Sequence, residues 1–330
     1  MQQNKELCRV EHISVSVPYV GKYYPAVHDL SFRMNVGDSV GLIGESGSGK
    51  SLTAQAIAGL LPEQVQRSSG HIYFDGIDLT QLTEEELRAY RGFDITMVFQ
   101  DSATSLNPLL TIGYQMREVL LLHCREIQGK AAQEQHLIAS LEEVGLDRPR
   151  EVLQKYPHQL SGGQRQRVML AMVMLPKPRL LLADEPTTAL DLTTQQQILT
   201  LIRNLQQKHE LTLLMISHNI QVVRSLCERT MVLYAGQIVE SGPTNEVLTH
   251  PMHPYTLALL DSKPSFQRKG QTLEMVEGMV PPLDQRQVPC NFAPRCPFRT
   301  EVCDREIHEF HRGEHSVLCN YPRSGKAVSV

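Results

Sequence analysis

Eight consecutive residues, GESGSGKS at 44–51, carry the strongest chemical signal in the chain. They satisfy the pattern G-x-x-x-x-G-K-[ST] at every fixed position. Gly44, Gly47 and Gly49 let the backbone curl so that its N–H groups converge on an anion. Lys50 adds a point charge for β- and γ-phosphates, and the Ser51 hydroxyl is suited to ligate Mg²⁺. Glu45, Ser46 and Ser48 complete the loop, and Leu52 continues a helix whose N-terminus also favours an anion. The preceding run SVGLIG (39–44) has the length of a buried strand. A glycine-rich linker needs neither Lys-Ser nor such a strand, so the expected ligand is a nucleoside triphosphate.

Two further stretches carry chemistry. RLLLADEP (179–186) reads as a buried strand ending in acids, which sets carboxylates at the edge of an α/β sheet where ligands bind. Asp184 is suited to hold Mg²⁺ through its water shell, and Glu185 to polarise an attacking water. HQLSGGQRQR (158–167) reads either as a turn or as a place where Ser161, Gly162 and Gly163 present a hydroxyl and close-approach amides to an anion.

The elements that must position these residues alternate in type. Strand patterns cover 8–17, 27–36, 94–99, 179–187 and 211–218, with hairpins over 71–79 (Asp-Gly turn) and 231–242 (glycine turn). Helical patterns follow Lys50, begin at Thr83, and cover 113–146, 163–175 and 192–209. Apolar strands alternating with helices predict an α/β domain with a mostly parallel sheet. The alternation stops near residue 262, and the tail from Lys263 shows little periodicity.

Bulk composition bounds the function. The 330 residues are 41% hydrophobic and 21% charged with net charge −4, so no strong basic balance points to nucleic acid. The polar, alternating N-terminus does not read as a signal peptide. The longest apolar runs, 168–175 and 180–183, fall far short of the ~20 residues of a membrane span. The expectation is a soluble, cytosolic chain that meets a membrane only through a partner.

With these residues in place, the chain resembles the ATPase subunits of ATP-binding-cassette (ABC) transporters. LSGGQ at 160–164 looks like that family's signature motif, with Gln164 as its last residue. By the resemblance, Gln100 takes the place of the Q-loop glutamine that contacts Mg²⁺, Asp191 in TALD (188–191) lies at the dimer seam, and His218 reaches the γ-phosphate. The family also implies an aromatic residue on adenine, for which Tyr19 and Tyr24 are both candidates. One departure is Asn219, where many relatives carry Asp. AVHDLSF (26–32), TSLNP (104–108) and HPYTLALL (253–260) resemble the ATPases of dipeptide, oligopeptide and nickel or metal–chelate importers.

The resemblance implies a P-loop NTPase fold: a RecA-like α/β core, an N-terminal antiparallel β subdomain and a helical subdomain at about 101–165. The ATPase domain is expected over 1–262 and a small Cys-rich extension over 263–330. Implied partners are a second ABC ATPase subunit, making a heterodimer, two transmembrane permease subunits and, indirectly, an extracytoplasmic binding protein. The chain would then sit on the cytoplasmic face of the membrane. A soluble ABC ATPase of translation or DNA repair is the rival, but those carry two cassettes or a long coiled-coil insertion, and this chain has one cassette and no sustained heptads.

Four of the seven cysteines, Cys290, Cys296, Cys303 and Cys319, fall in the tail. An odd total argues against a disulfide framework. Four thiolates on a segment poor in apolar residues point to metal-templated folding. Zn²⁺ prefers tighter pairs, and Cys₄ equally suits an iron–sulfur centre. The resemblance favours a [4Fe–4S] cluster. Cys8, Cys124 and Cys227 lie in strand or helix patterns and are expected as buried small hydrophobes.

Overall fold

The computed structural model describes residues 5–99, 105–188, 190–261, 278–286 and 289–323. In chain order the strands are β1 (Glu6–Tyr19), β2 (Lys22–Asn35), β3 (Ser39–Ile43), β4 (Gln66–Phe74), β5 (Ile77–Asp78), β6 (Ile95–Val98), β7 (Leu180–Asp184), β8 (Thr212–Ile216), β9 (Arg229–Tyr234), β10 (Gln237–Pro243), β11 (Glu309–Arg312) and β12 (His315–Leu318). The helices are α1 (Lys50–Ala58), α2 (Glu84–Leu87), α3 (Ile112–His123), α4 (Lys130–Glu143), α5 (Pro149–Gln154), α6 (Gly162–Met174), α7 (Leu192–His209), α8 (Ile220–Leu226), α9 (Thr244–Thr249) and α10 (Pro254–Asp261). The chain divides into two compact units, one built mainly from 81–214, the other from 5–35, 39–80 and the residues from 215 onward.

In the first unit β6 and β7 pair in parallel, Ile95 opposite Leu180 and Val98 opposite Ala183, with β8 on the other side of β7. Every residue of β6 and β7 is buried. That explains why these strands are apolar throughout rather than alternating. The helical run expected over 113–146 is two helices. α3 ends at Cys124, and Gly129, with φ 88°, stands before α4. A residue with that dihedral cannot continue a right-handed helix. α2 has the expected Thr83 start, capped by a reciprocal Thr83–Glu86 box.

In the second unit β2, β1, β4 and β5 form an antiparallel sheet in that order, as expected for the N-terminal part. The other sheet of this unit runs β11, β12, β10, β9, β3, with β3 and β9 parallel and β9 and β10 antiparallel. Three hairpins turn on Val20-Gly21, Asp75-Gly76 and Ala235-Gly236, each pair with positive φ. Positive φ at both positions is what a two-residue hairpin loop needs to match strand twist.

The tail is more regular than its sequence predicts. β11 and β12 form a hairpin around Gly313, which has φ 64°, and β12 pairs with β10, Glu240 opposite Val317. Glu240 is fully buried. One of its oxygens accepts from the Met252 N–H (2.6 Å) and from His315 Nε2 (2.7 Å), the other from the His253 N–H (3.0 Å). Tail and cassette are further joined by the rings of Tyr234, Tyr255 and Phe292, with centroids 4.6–5.5 Å apart.

Candidate nucleotide site and cysteine cavity

The phosphate loop leaves β3 at Ile43 and enters α1 at Lys50. Its glycines are imposed by different constraints. A Cβ on Gly44 would lie 2.2 Å from the Leu233 carbonyl oxygen, and one on Gly49 would lie 2.9 Å from that of Ala26. Gly47 has open space but φ 76°, which disfavours any side chain. Lys50 is buried, and its ammonium donates to the carbonyls of Gly44 and Glu45 at 2.9 Å each and more weakly to the Ser48 hydroxyl. The loop therefore holds a desolvated cation against its own backbone. Ser48 is buried, Ser46 is exposed, and Ser51 and Leu52 are half-buried in the first turn of α1.

Tyr19 and Tyr24 stand at the end of the β1–β2 hairpin and pack edge to face, 6.1 Å apart at 80°. The two adenine candidates therefore form one aromatic pair. Their neighbour Tyr23, half exposed, was not among the sequence candidates. It faces the opposite side of β2 from Tyr24, a placement that strand alternation makes legible. His218 is exposed in the turn between β8 and α8. Asn219 caps α8, its Oδ1 accepting from the Gln221 N–H at 3.0 Å. Asn and Asp cap helices about equally well, so this departure leaves the local structure intact.

In the other unit, Asp184 is buried at the C-terminal end of β7. Glu185 follows with φ 48° and accepts from the Thr188 hydroxyl at 2.9 Å. A left-handed glutamate is uncommon and marks a backbone held against its preference. Ser161 and Gln164 cap α6 reciprocally: Gln164 N–H donates to Ser161 Oγ at 3.2 Å, and Ser161 N–H to Gln164 Oε1 at 3.1 Å. Asp191 caps α7, accepting from the Thr194 N–H and hydroxyl at 3.0 and 2.7 Å. Those bonds, the backbone one foremost, hold its carboxyl below the usual range. Gln100 lies outside the described residues, as does Ala189 of the TALD stretch.

All four tail cysteines line one cavity, together with His253 and Phe292. Burial pushes the Cys290 thiol up to about 11, with Cys303 and Cys319 adding to the rise. Burial likewise raises Cys296 and Cys319. Among the described residues, no three His, Cys, Asp or Glu side chains stand in a metal-ligating group. Buried thiols raised in this way stay protonated until a metal displaces the protons. Burial lowers His253 to about 3, and its Nδ1 accepts from the Tyr255 N–H at 3.0 Å. The sequence reading has His253 only as the first residue of HPYTLALL, with no place beside the cysteines, since one histidine in an apolar segment carries no signal of a neighbour about 40 residues or more away. Cys8, Cys124 and Cys227 are free and buried, as expected of small hydrophobes.

Comparison with known proteins extends these observations over almost the whole chain. Residues 27–188 match the ABC transporter family model, and 239–303 match the model of the oligopeptide/dipeptide transporter C-terminal region. The chain is 42% identical to the dipeptide transport ATP-binding protein DppD of Bacillus subtilis, over 96% of this chain and 94% of that protein. It is 41% identical to the oligopeptide transport ATP-binding protein OppD of Escherichia coli, over 94% and 92%. Among solved structures it is similar to the ATP-binding cassette MJ0796 in a dimeric post-hydrolysis state bound to ADP and Pi, with TM-score 0.65 and 28% identity over 72% of this chain and 99% of that one. The chain belongs to the ABC transporter ATP-binding proteins, on the branch that carries the oligopeptide/dipeptide transporter C-terminal region.

Proposed function

We propose that this chain is the ATP-hydrolysing subunit that powers import of peptides through a membrane ABC transporter. The carrying observation is the 42% identity to a dipeptide transport ATP-binding protein across phosphate loop, signature and tail alike. Residues 1–262 are the ATPase domain, with the helical subdomain at about 101–165, and 263–330 the extension. The phosphate loop binds ATP through its amides and Lys50. Ser51, Asp184 and Gln100 hold the Mg²⁺, which neutralises phosphate charge. Glu185 orients the attacking water, His218 holds the γ-phosphate, and Tyr19 or Tyr24 stacks on adenine.

Ser161, Gly162 and Gly163 close over ATP held by a second, related ATPase subunit, with Asp191 at the seam. ATP thereby joins the two subunits, and hydrolysis releases them, driving two permease subunits on the cytoplasmic face of the membrane. A binding protein outside delivers the cargo. Cys290, Cys296, Cys303 and Cys319 hold a [4Fe–4S] cluster that orders the tail. Their shared cavity supports this reading.

The test is a peptide-uptake assay in reconstituted importer. Glu185→Gln should abolish uptake and lower turnover about 10²- to 10⁴-fold while leaving ATP bound. Unchanged turnover would remove Glu185 from its role, and uptake of nickel but not peptide would overturn the cargo.

A further inference from the structure

Glu45, the second residue of the phosphate loop, is gripped from three sides. Its carboxylate receives both prongs of Arg295, Nη1 to Oε2 at 3.0 Å and Nη2 to Oε1 at 3.2 Å. Its N–H donates to the Tyr255 hydroxyl at 2.8 Å, and its carbonyl accepts from Lys50 Nζ at 2.9 Å. The Arg295 side chain is only 6% exposed and that of Glu45 27%. Arg295 also donates to the Tyr234 hydroxyl at 3.3 Å and lies near the faces of Tyr234 and Phe292. It belongs to the short turn Ala293–Arg295, between Cys290 and Cys296.

A carboxylate inside a loop that must accept a polyanion works against the loop's purpose. A two-pronged guanidinium both cancels that charge and fixes the carboxylate's direction. The Glu45 peptide is also the one whose carbonyl holds the Lys50 ammonium. Displacement of Glu45 therefore moves the cation's own support.

We propose that Arg295, a residue of the cysteine-rich tail, is a positioning residue of the nucleotide site, neutralising the Glu45 carboxylate so that the loop can take up a triphosphate. Arg295 acts through Glu45 and touches no phosphate. The proposal rests on the phosphate-loop reading and needs no metal in the cysteine cavity.

The experiment measures Kd for Mg²⁺–AMP-PNP by calorimetry on the full chain. Arg295→Gln should weaken binding about tenfold, equivalent to about 1.4 kcal/mol. The loss should shrink between about 0.05 and about 0.5 M salt, because a bare Glu45 charge is screened. Glu45→Gln/Arg295→Gln should recover to within about threefold of the unmutated chain, since the uncompensated charge is gone. Arg295→Lys should fall between. A double variant as weak as Arg295→Gln alone, whether from unfolding or lost contacts, overturns the proposal, as does unaltered binding by Arg295→Gln. Lys50→Ala is the control on the underlying reading: if it binds as the unmutated chain does, the phosphate loop itself is misassigned.

Discussion

Gly163 lies so close to Thr194 that a Cβ on the glycine would sit 2.6 Å from the threonine methyl carbon. Its neighbour Gly162 meets only ordinary contact, Leu190 Cδ2 at 3.5 Å. The two glycines therefore meet different constraints. Gly163 lets the start of α6 approach the start of α7. Among the described residues, nothing demands Gly162.

Gly163→Ala should therefore destabilise the fold by about 1–3 kcal/mol through overpacking. Gly162→Ala should keep or raise stability, since alanine is favoured over glycine in a helix by up to about 1 kcal/mol. If amides here must approach a nucleotide on another subunit, Gly162→Ala loses ATPase activity in the assembled importer all the same. Urea unfolding paired with turnover separates the two. Equal loss of stability in both variants would refute the distinction.

Ser161 offers a cleaner probe than a bulky replacement. Its hydroxyl caps α6, so Ser161→Arg removes a cap worth about 1 kcal/mol as well as obstructing the site. Ser161→Asp retains the cap and adds a carboxylate where an anion is to be accepted. Its stability should stay within about 0.5 kcal/mol of the unmutated chain. ATP-driven association of ATPase subunits, read by light scattering, should be lost. Association at the ordinary ATP concentration would mean that no phosphate approaches this serine.

Asp191 sets an acid limit on α7. Its carboxyl is held low by the Thr194 N–H and hydroxyl. A depressed folded pKa means the group's stabilisation is complete above the unfolded value, about 3.9, and disappears as pH falls through the folded value. Asp191→Asn should melt at a lower temperature than the unmutated chain near neutral pH, and the gap should close in acid. A gap independent of pH would show that the carboxylate charge contributes nothing.

The tail cysteines are tested by colour and metal content. Protein purified without oxygen should absorb broadly in the visible and carry iron and sulfide, both lost in Cys290→Ser. Colourless protein with one Zn²⁺ would replace the iron–sulfur reading by a zinc site. Protein with neither metal would leave four free cysteines lining the cavity and remove the cluster reading.

The parts legible in the sequence are those whose signal is local. The phosphate loop, the apolar strand before Asp184, the Thr83 start and the Asp75-Gly76 turn each depend on a few adjacent residues. The break between α3 and α4 was missed because Gly129 sits among residues that otherwise favour helix. The β11–β12 hairpin was missed because each strand has four residues and β11 is exposed along its whole length, leaving no alternation to detect. The contact of Arg295 with Glu45 joins residues 250 positions apart. No window along the chain contains both partners.

The burial of Glu240 bears on how this branch of proteins can be cut and recombined. A cassette severed from its tail keeps the Glu240 carboxylate in its last strand, with the Met252 and His253 N–H groups still donating to it, but loses the bond from His315 and the strand that covers it. Grafting the extension onto another ATPase, or trimming it for crystallisation, therefore means redesigning position 240 as well. Domain shuffling in evolution would have met the same requirement.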